Sequence, residues 1–187
     1  FWAGDYRIVD QNGDGVIDLQ DRTIIGNPNP DFVYGINLEL SYKNLSLRVL
    51  ANGVYGNDIA NGNLLQLATP EGISWSNITT AAYNNAWRPE RTSNSYPRIG
   101  YTTNGQIAMP DWIIEDGSFL RISNINLSYQ FDRINIYLSA QNLFTFTGYS
   151  GYNPEVTSFL YDGLRNGVDW NGQPSARKFT IGLNFNL

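Results

Sequence analysis

The 187-residue sequence contains no cysteine and no histidine. Without cysteine there is no disulfide framework, no thiolate metal site and no thiol nucleophile. Without histidine, Ser-His-Asp hydrolases and ordinary zinc hydrolases are excluded, because the commonest general base and the usual zinc ligand are both missing. No run of 18 apolar residues occurs, so the sequence holds no transmembrane helix. Basic residues number 12 against 17 acidic ones, and the net charge of −5 argues against a nucleic-acid partner. The chain opens on Phe1, with no initiator Met and no charged or apolar leader, as expected of a processed precursor or a piece of a longer polypeptide.

What is abundant is aromatic, small and polar. Aromatics make up 14% of the chain, 12 of them Tyr, and Asn and Gly recur throughout. Polar residues interrupt almost every apolar stretch. That mixture suits β-strands with one wet face and one apolar face, joined by turn-rich loops.

Five segments alternate with period two, at about 32–43, 45–57, 118–131, 134–146 and 177–187. In the last, Phe179, Ile181, Leu183, Phe185 and Leu187 share a face opposite Lys178, Thr180, Gly182, Asn184 and Asn186. In the first, Phe32, Tyr34, Ile36, Leu38, Leu40 and Tyr42 oppose Gly35, Asn37, Glu39, Ser41 and Lys43. Short turns at Lys43-Asn44 and Asp132-Arg133 alternate with long segments at 1–31, about 58–117 and about 147–176. Outer-membrane barrels have this organisation: short periplasmic turns, long extracellular loops, and strands apolar outside and polar inside. The expected fold is therefore all-β, a portion of a transmembrane antiparallel barrel. Five strands cannot close around a lumen, since small barrels have about eight, so the remaining strands must come from other sequence. The C-terminus would then be periplasmic and the long loops extracellular.

A soluble β-sandwich also alternates. Against it stand polar faces of Asn, Gln, Ser and Thr continuous over whole strands. The apolar face is also flanked by Phe32, Tyr34, Tyr42, Phe131, Phe144 and Phe146, as at membrane interfaces. The alternative that remains open is a calcium-containing soluble or surface carbohydrate-binding β-module.

Residues 10–21 match the twelve-residue EF-hand calcium loop. Asp10, Asn12, Asp14 and Asp18 occupy loop positions 1, 3, 5 and 9, and Gly15 stands where the chain must turn sharply. The Val16 carbonyl would be the seventh-position ligand, and Asp21 replaces the usual bidentate Glu. Ca²⁺, with Mg²⁺ as the other candidate, is the expected structural cofactor. No amphipathic helices flank the loop, so the ion would staple a loop rather than drive a switch.

These segments resemble the SusC/RagA-like TonB-dependent outer-membrane transporters of Bacteroidetes. The similarity is carried by Asp10–Asp21 with Thr23–Phe32, by Gly53–Asp58, by Trp87-Arg88-Pro89-Glu90 with Tyr96-Pro97-Arg98, and by Asp116–Arg121. It continues through Asn142-Leu143-Phe144-Thr145, Gly151-Tyr152-Asn153-Pro154-Glu155 and Arg177–Thr180, with small departures near Pro174. The resemblance implies the last five strands of a roughly 22-stranded barrel, whose plug domain and TonB box are not in this chain. It also implies a SusD-like lipoprotein lid that captures oligosaccharides or peptides, and energy delivered through TonB.

Candidate ligand or lid contacts are the loop aromatics Trp75, Trp87, Tyr96, Tyr101, Trp112, Tyr149, Tyr152 and Trp170. Asp111, Glu115 and Asp116 also cluster. Nothing in the sequence sets two of them across a cleft as a glycosidase requires, so no enzyme is expected.

Overall fold

The computed structural model describes residues 2–68, 77–93, 95–99, 109–156 and 166–185. In chain order its strands are β1 (Phe32–Tyr42), β2 (Leu45–Tyr55), β3 (Asp58–Asn61), β4 (Ile114–Asp116), β5 (Phe119–Phe131), β6 (Ile134–Thr147), β7 (Val168–Asp169) and β8 (Lys178–Phe185). Two short helices, α1 (Gly62–Ala68) and α2 (Thr80–Asn85), lie between β3 and β4. The five long strands form one antiparallel sheet in the order β1-β2-β5-β6-β8, and the short ones a second sheet, β4-β3-β7. The alternation ascribed to Asn186 and Leu187 lies outside the described residues. Among those residues, no helix is long and apolar enough to cross a membrane.

Two-residue turns close the hairpins β1-β2 and β5-β6, with Tyr42 opposite Leu45 and Phe131 opposite Ile134. Lys43 (φ 52°) and Asp132 (φ 48°) enter the left-handed region there, which a tight hairpin turn needs at its first position. The neighbouring turns are tied together where Gln130 donates its backbone N–H to the Asn44 carbonyl at 2.8 Å.

Register decides what each face carries. Leu38 sits opposite Val49, Val49 opposite Ile125, Leu127 opposite Leu47 and Leu138, and Leu138 opposite Ile181. One face is thus an aliphatic band running across all five strands. On the other face Glu39 opposes Arg48, Arg48 opposes Asn126, Asn126 opposes Ser139 and Ser139 opposes Thr180. Glu39 and Arg48 form an ion pair at 3.1 Å on that face.

Among the described residues nothing covers the apolar band: Ile181 is 76% exposed, Leu183 56% and Leu138 52%. Aromatic rows border it at both ends, with Phe32, Tyr55, Phe144 and Phe146 at the loop end and Tyr42, Tyr129, Phe131 and Phe185 at the turn end, all of them exposed. Phe32 to Tyr42 spans roughly 33 Å along the strand at ~3.3 Å per residue. A tilt of ~40° reduces that to roughly 25 Å, the height of the apolar belt of an outer-membrane barrel. A soluble protein rarely leaves a contiguous face of this size open. Conversely, apart from the small Ala51 on β2, the buried apolar side chains Ile59, Ala60, Ala68, Ala82, Ala86, Ile113, Phe119 and Tyr149 all lie at or beyond the loop end of the sheet. The wall has no core of its own, as expected of a sheet whose solvent on one side is lipid.

Two devices keep the sheet regular. At Ser123 the register of β5 slips, so that Leu50 faces Asn124 while the next residue, Ala51, faces Ile122. Outward residues below the slip are Ile125, Leu127 and Tyr129; above it they are Ile122 and Leu120. The bulge therefore preserves one apolar face while the sequence parity changes. At Gly53 the Tyr34 ring lies across the bare backbone and donates its hydroxyl to the Phe119 carbonyl at 3.1 Å. A Cβ on Gly53 would meet that ring at 2.3 Å.

A charge at mid-belt separates a lipid-facing wall from a solvent-facing one. In the full-length protein in bilayers, Leu127→Arg is expected to lower unfolding stability by about 2–4 kcal/mol, and Phe131→Arg, at the rim, by about 0–1 kcal/mol. Equal and negligible effects at both depths would rule out a lipid face.

Candidate functional site at the loop end of the sheet

The chain leaves β2 at Gly56 (φ 86°), where the left-handed backbone turns it over the end of the sheet. The small sheet forms there, with β3 antiparallel to β4 and parallel to β7. Its interior mixes Ile59 and Ile113 with the buried polar groups Asn61 and Asp169. Those groups are matched. Tyr149 donates its hydroxyl to Asp169 Oδ2 at 2.6 Å, and the Gly172 N–H meets Oδ1 at 3.0 Å. Glu115 accepts from Asn61 Nδ2 at 2.8 Å and from the Ser150 N–H and hydroxyl at 2.7 and 2.8 Å. Burial first, and then the carboxylates of Asp169 and Glu115, push the Tyr149 phenol far above its ordinary range, so it is a fixed donor.

The acidic trio expected as a cluster is thereby taken apart. Glu115 fastens the 149–150 segment. Asp116 caps Ser118, whose hydroxyl and backbone N–H hold its carboxyl below the usual range. Asp111 stands exposed in a 3₁₀ turn, Asp111–Ile113. None of the three faces another across a cleft.

On the polar face, Arg121 of β5 is 4% exposed. Its guanidinium donates to Thr145 Oγ1 at 3.0 Å, to Asn153 Oδ1 at 2.6 Å and to the Glu155 carboxylate. Asn52 donates its amide to the other Glu155 oxygen at 3.3 Å and accepts from the Ser123 hydroxyl. One fork-shaped cation thus fastens Asn153-Pro154-Glu155 against the inner face of the wall. Sequence reasoning quoted that tripeptide but missed its anchor. The available signal was an Arg at a polar-face position next to the bulge.

In the acidic loop, Gly13 (φ 76°) and Gly15 (φ 81°) turn the backbone so that both N–H groups reach Asp10, at 2.6 and 2.8 Å. Asn12 accepts from the Asp14 N–H at 3.0 Å, and Asp14 accepts from the Val16 N–H at 2.8 Å. Asp21 receives the Gln11 and Asp18 N–H groups, both at 2.8 Å, and Asp18 caps the short 3₁₀ turn Leu19–Asp21. The Asp18 N–H above all, together with the other amides, lowers the Asp21 carboxyl below its ordinary value. The five side chains therefore share one loop, each engaged by its own backbone. Among the described residues, no three acidic groups converge closely enough to hold an ion.

The aromatic candidates divide. Trp75 and Tyr101 lie outside the described residues. Tyr149 is buried and committed to Asp169. Trp87 packs over Gly4 and donates its backbone N–H to the Tyr96 carbonyl at 3.2 Å, both residues being half-buried. Trp112 stacks on Tyr6 with ring centres 5.9 Å apart. Tyr152 and Trp170 are exposed, 77% and 46%, with the Trp170 ring edge against Gly62.

No family model matches the chain. Among curated proteins, TonB-dependent receptor P3 of Formosa agariphila is 33% identical over 195 residues, covering 97% of this chain and 19% of the receptor. TonB-dependent receptor SusC of Bacteroides thetaiotaomicron is 32% identical over 190 residues, covering 94% and 17%. The chain belongs to the SusC-like TonB-dependent receptors. Among solved structures, the RagAB peptide transporter superposes with a TM-score of 0.71 at 22% identity, over 96% of this chain and 22% of that one. The "closed-closed" RagAB peptide importer gives 0.70 at 22% identity, over 91% and 20%. This SusC-like chain spans about a fifth of the length of the curated relatives it matches, so its wall and loops are one sector of a larger barrel.

The Arg121 clamp generates a local prediction. Arg121→Met leaves the Glu155 carboxylate without its cation, at a cost of about 1.5–3 kcal/mol. Amide exchange across 149–156 in the full-length receptor should accelerate while β5 and β6 keep their protection. Arg121→Lys, which keeps the charge but loses the fork, should fall between. Unchanged protection of 149–156 in the Met variant would remove the clamp from the argument.

Proposed function

We propose that this SusC-like chain is part of an outer-membrane importer of oligomeric nutrients, oligosaccharides ahead of oligopeptides. The observation that carries the reading is the five-stranded wall itself, with one bare aliphatic face bordered by two aromatic rows and one polar face turned the other way. In this reading the two-residue turns and the C-terminus are periplasmic, while the acidic loop and the small sheet are extracellular. The polar face is lumen wall. No bond is made or broken here. Work comes through TonB, by way of a plug and a TonB box that belong to the rest of the receptor, and a SusD-like lipoprotein lid closes the mouth.

Exposed Tyr152 and Trp170 support a glycan substrate, because flat aromatic faces desolvate well against sugar rings. RagAB, a structural neighbour, is a peptide importer, which makes peptides the rival substrate. Cells dependent on the full-length receptor should take up fluorescent neutral oligosaccharides and leave casein peptides outside. The double change Tyr152→Ala, Trp170→Ala should cut uptake about tenfold, the weight of one aromatic anchor. Uptake of peptides alone would transfer the substrate assignment. Extraction of the intact receptor as a monomer without detergent would favour the soluble carbohydrate-binding module instead.

The acidic loop is proposed to hold a structural Ca²⁺ through Asp10, Asn12, Asp14, Asp18, Asp21 and the Val16 carbonyl, with Mg²⁺ as the weaker competitor. In chemical kind the donor set fits a hard cation. All six donors are oxygens, and a carboxylate offers about four lone-pair sites, of which the amide bonds described above use only part. Asp21 reaches less far than a bidentate Glu, so affinity should be modest, with Kd on the order of 10⁻⁴–10⁻³ M as in extracellular calcium modules. Calorimetric titration of the full-length receptor should detect one such site, absent in Asp10→Ala, Asp14→Ala. Identical heats from wild type and variant would exclude it.

A further inference from the structure

The proposed import of an oligomer leaves open where this sector of the wall grips it. At the loop end of β1, β2 and β5, on the polar face, lies a hollow of about 350 Å³. Asn52, Asn57, Ile59, Phe119, Pro154 and Glu155 are among its lining residues. The volume is at the small end of ligand pockets, about 300–1,000 Å³, and suits one unit of a chain rather than a whole oligomer.

The polar groups around it are not equivalent. Glu155 is neutralised by Arg121, and its second oxygen is taken by Asn52. The Asn52 carbonyl oxygen is in turn taken by Ser123. Asn57 differs. Its side-chain oxygen is buried and has no hydrogen-bond partner. Its amide nitrogen lies over Gly117, where a Cβ would approach to 2.4 Å. A buried acceptor without a donor costs stability wherever it stands. Here the residue lines a pocket whose one anion is already compensated and whose remaining surface sets Phe119, Ile59, Val33, Val54 and Pro154 beside the amides Asn29 and Asn166.

We propose that this hollow is a subsite for one uncharged unit of the imported oligomer, held by a ligand O–H or N–H donated to Asn57 Oδ1 and by contact with Phe119 and Pro154. The shared chemistry is a neutral donor, which a sugar hydroxyl and a peptide amide both supply. The inference rests on the importer reading and names the sector of the mouth that the substrate touches. Lys- or Arg-rich units gain nothing here, since Glu155 is spent on Arg121.

The experiment uses the full-length receptor with its lid in detergent, and two probes: a ladder of neutral hexose oligomers and a tryptic casein digest. Binding is read by native mass spectrometry and calorimetry, and fold by the heat-modifiable gel mobility of the barrel. Against whichever probe the wild type binds, Asn57→Leu should weaken affinity about tenfold, whereas Asn57→Asp, which keeps an acceptor, should stay within about threefold. Val33→Trp fills the hollow from β1, where Val33 is 69% exposed, and should weaken binding at least tenfold even if the Asn57 variants fail to fold. A hexose-only response identifies the donor as a hydroxyl, and a peptide-only response as an amide; either supports the subsite. Wild-type affinity in folded Asn57→Leu or Val33→Trp overturns it while leaving the importer standing. No binding of either probe by the wild type overturns the importer reading and the subsite with it.

Discussion

A strand inside a bilayer has no water to satisfy its backbone, so every N–H and C=O must be met by a neighbouring strand. The rest of this chain follows from that requirement. Long strands pair in antiparallel succession, interrupted by a bulge at Ser123, with hairpin turns of two residues where the chain can reverse at once. Side chains are then left with a single choice at each position, lipid or lumen, and the choice alternates. Leu38, Leu127 and Ile181 take one side; Glu39, Asn126 and Thr180 take the other. A sheet solved this way needs no covering layer, which is why its large apolar residues are exposed and its buried ones gather only where the strands end.

Beyond the belt the physics changes. Water returns, backbone groups no longer need strand partners, and the chain can afford short strands, brief helices and capped turns. What holds these pieces is polar and specific: Tyr149 on Asp169, Glu115 on Asn61 and Ser150, Arg121 on Glu155 and Asn153. Each bond joins residues far apart in sequence. The loop end is therefore a folded layer in its own right, held together by Glu115 and Tyr149 and fastened to the wall by Arg121 of β5.

The contrast explains what could be read from the sequence. Period-two alternation is a local signal repeated many times, so the five wall strands, the two tight turns and the apolar face were legible. The bulge at Ser123 was visible only as a failure of the pattern at the start of β5. The small sheet was not legible at all, because strands of two to four residues carry no period and β7 joins β3 from more than a hundred residues away. The same holds for the polar contacts. Asp111, Glu115 and Asp116 look alike in sequence, yet one is exposed, one buckles a loop to the sheet and one caps a turn. Tyr149 looked like a ligand contact from its place in an aromatic loop, but a carboxylate three-dimensionally adjacent to it makes it a strut. Asn57, by contrast, drew no notice, since an unpartnered acceptor is a property of packing.

The bulge at Ser123 also sets the tolerance of this wall to insertion and deletion. It acts as a phase shifter in β5, letting the mouth-side half of the strand count even residues outward while the lower half counts odd ones. Removing Ser123 would set Ile122 directly beside Asn124; the two already face opposite sides against Ala51 and Leu50, so Arg121 would stay on the polar face and the strand would run on in one regular phase. A residue gained or lost elsewhere in β5, where no bulge takes it up, would instead exchange the sides of every residue on one side of the change. Ser123 is thus the one residue of β5 that the two faces do not count, and what its loss takes away is its hydroxyl on Asn52.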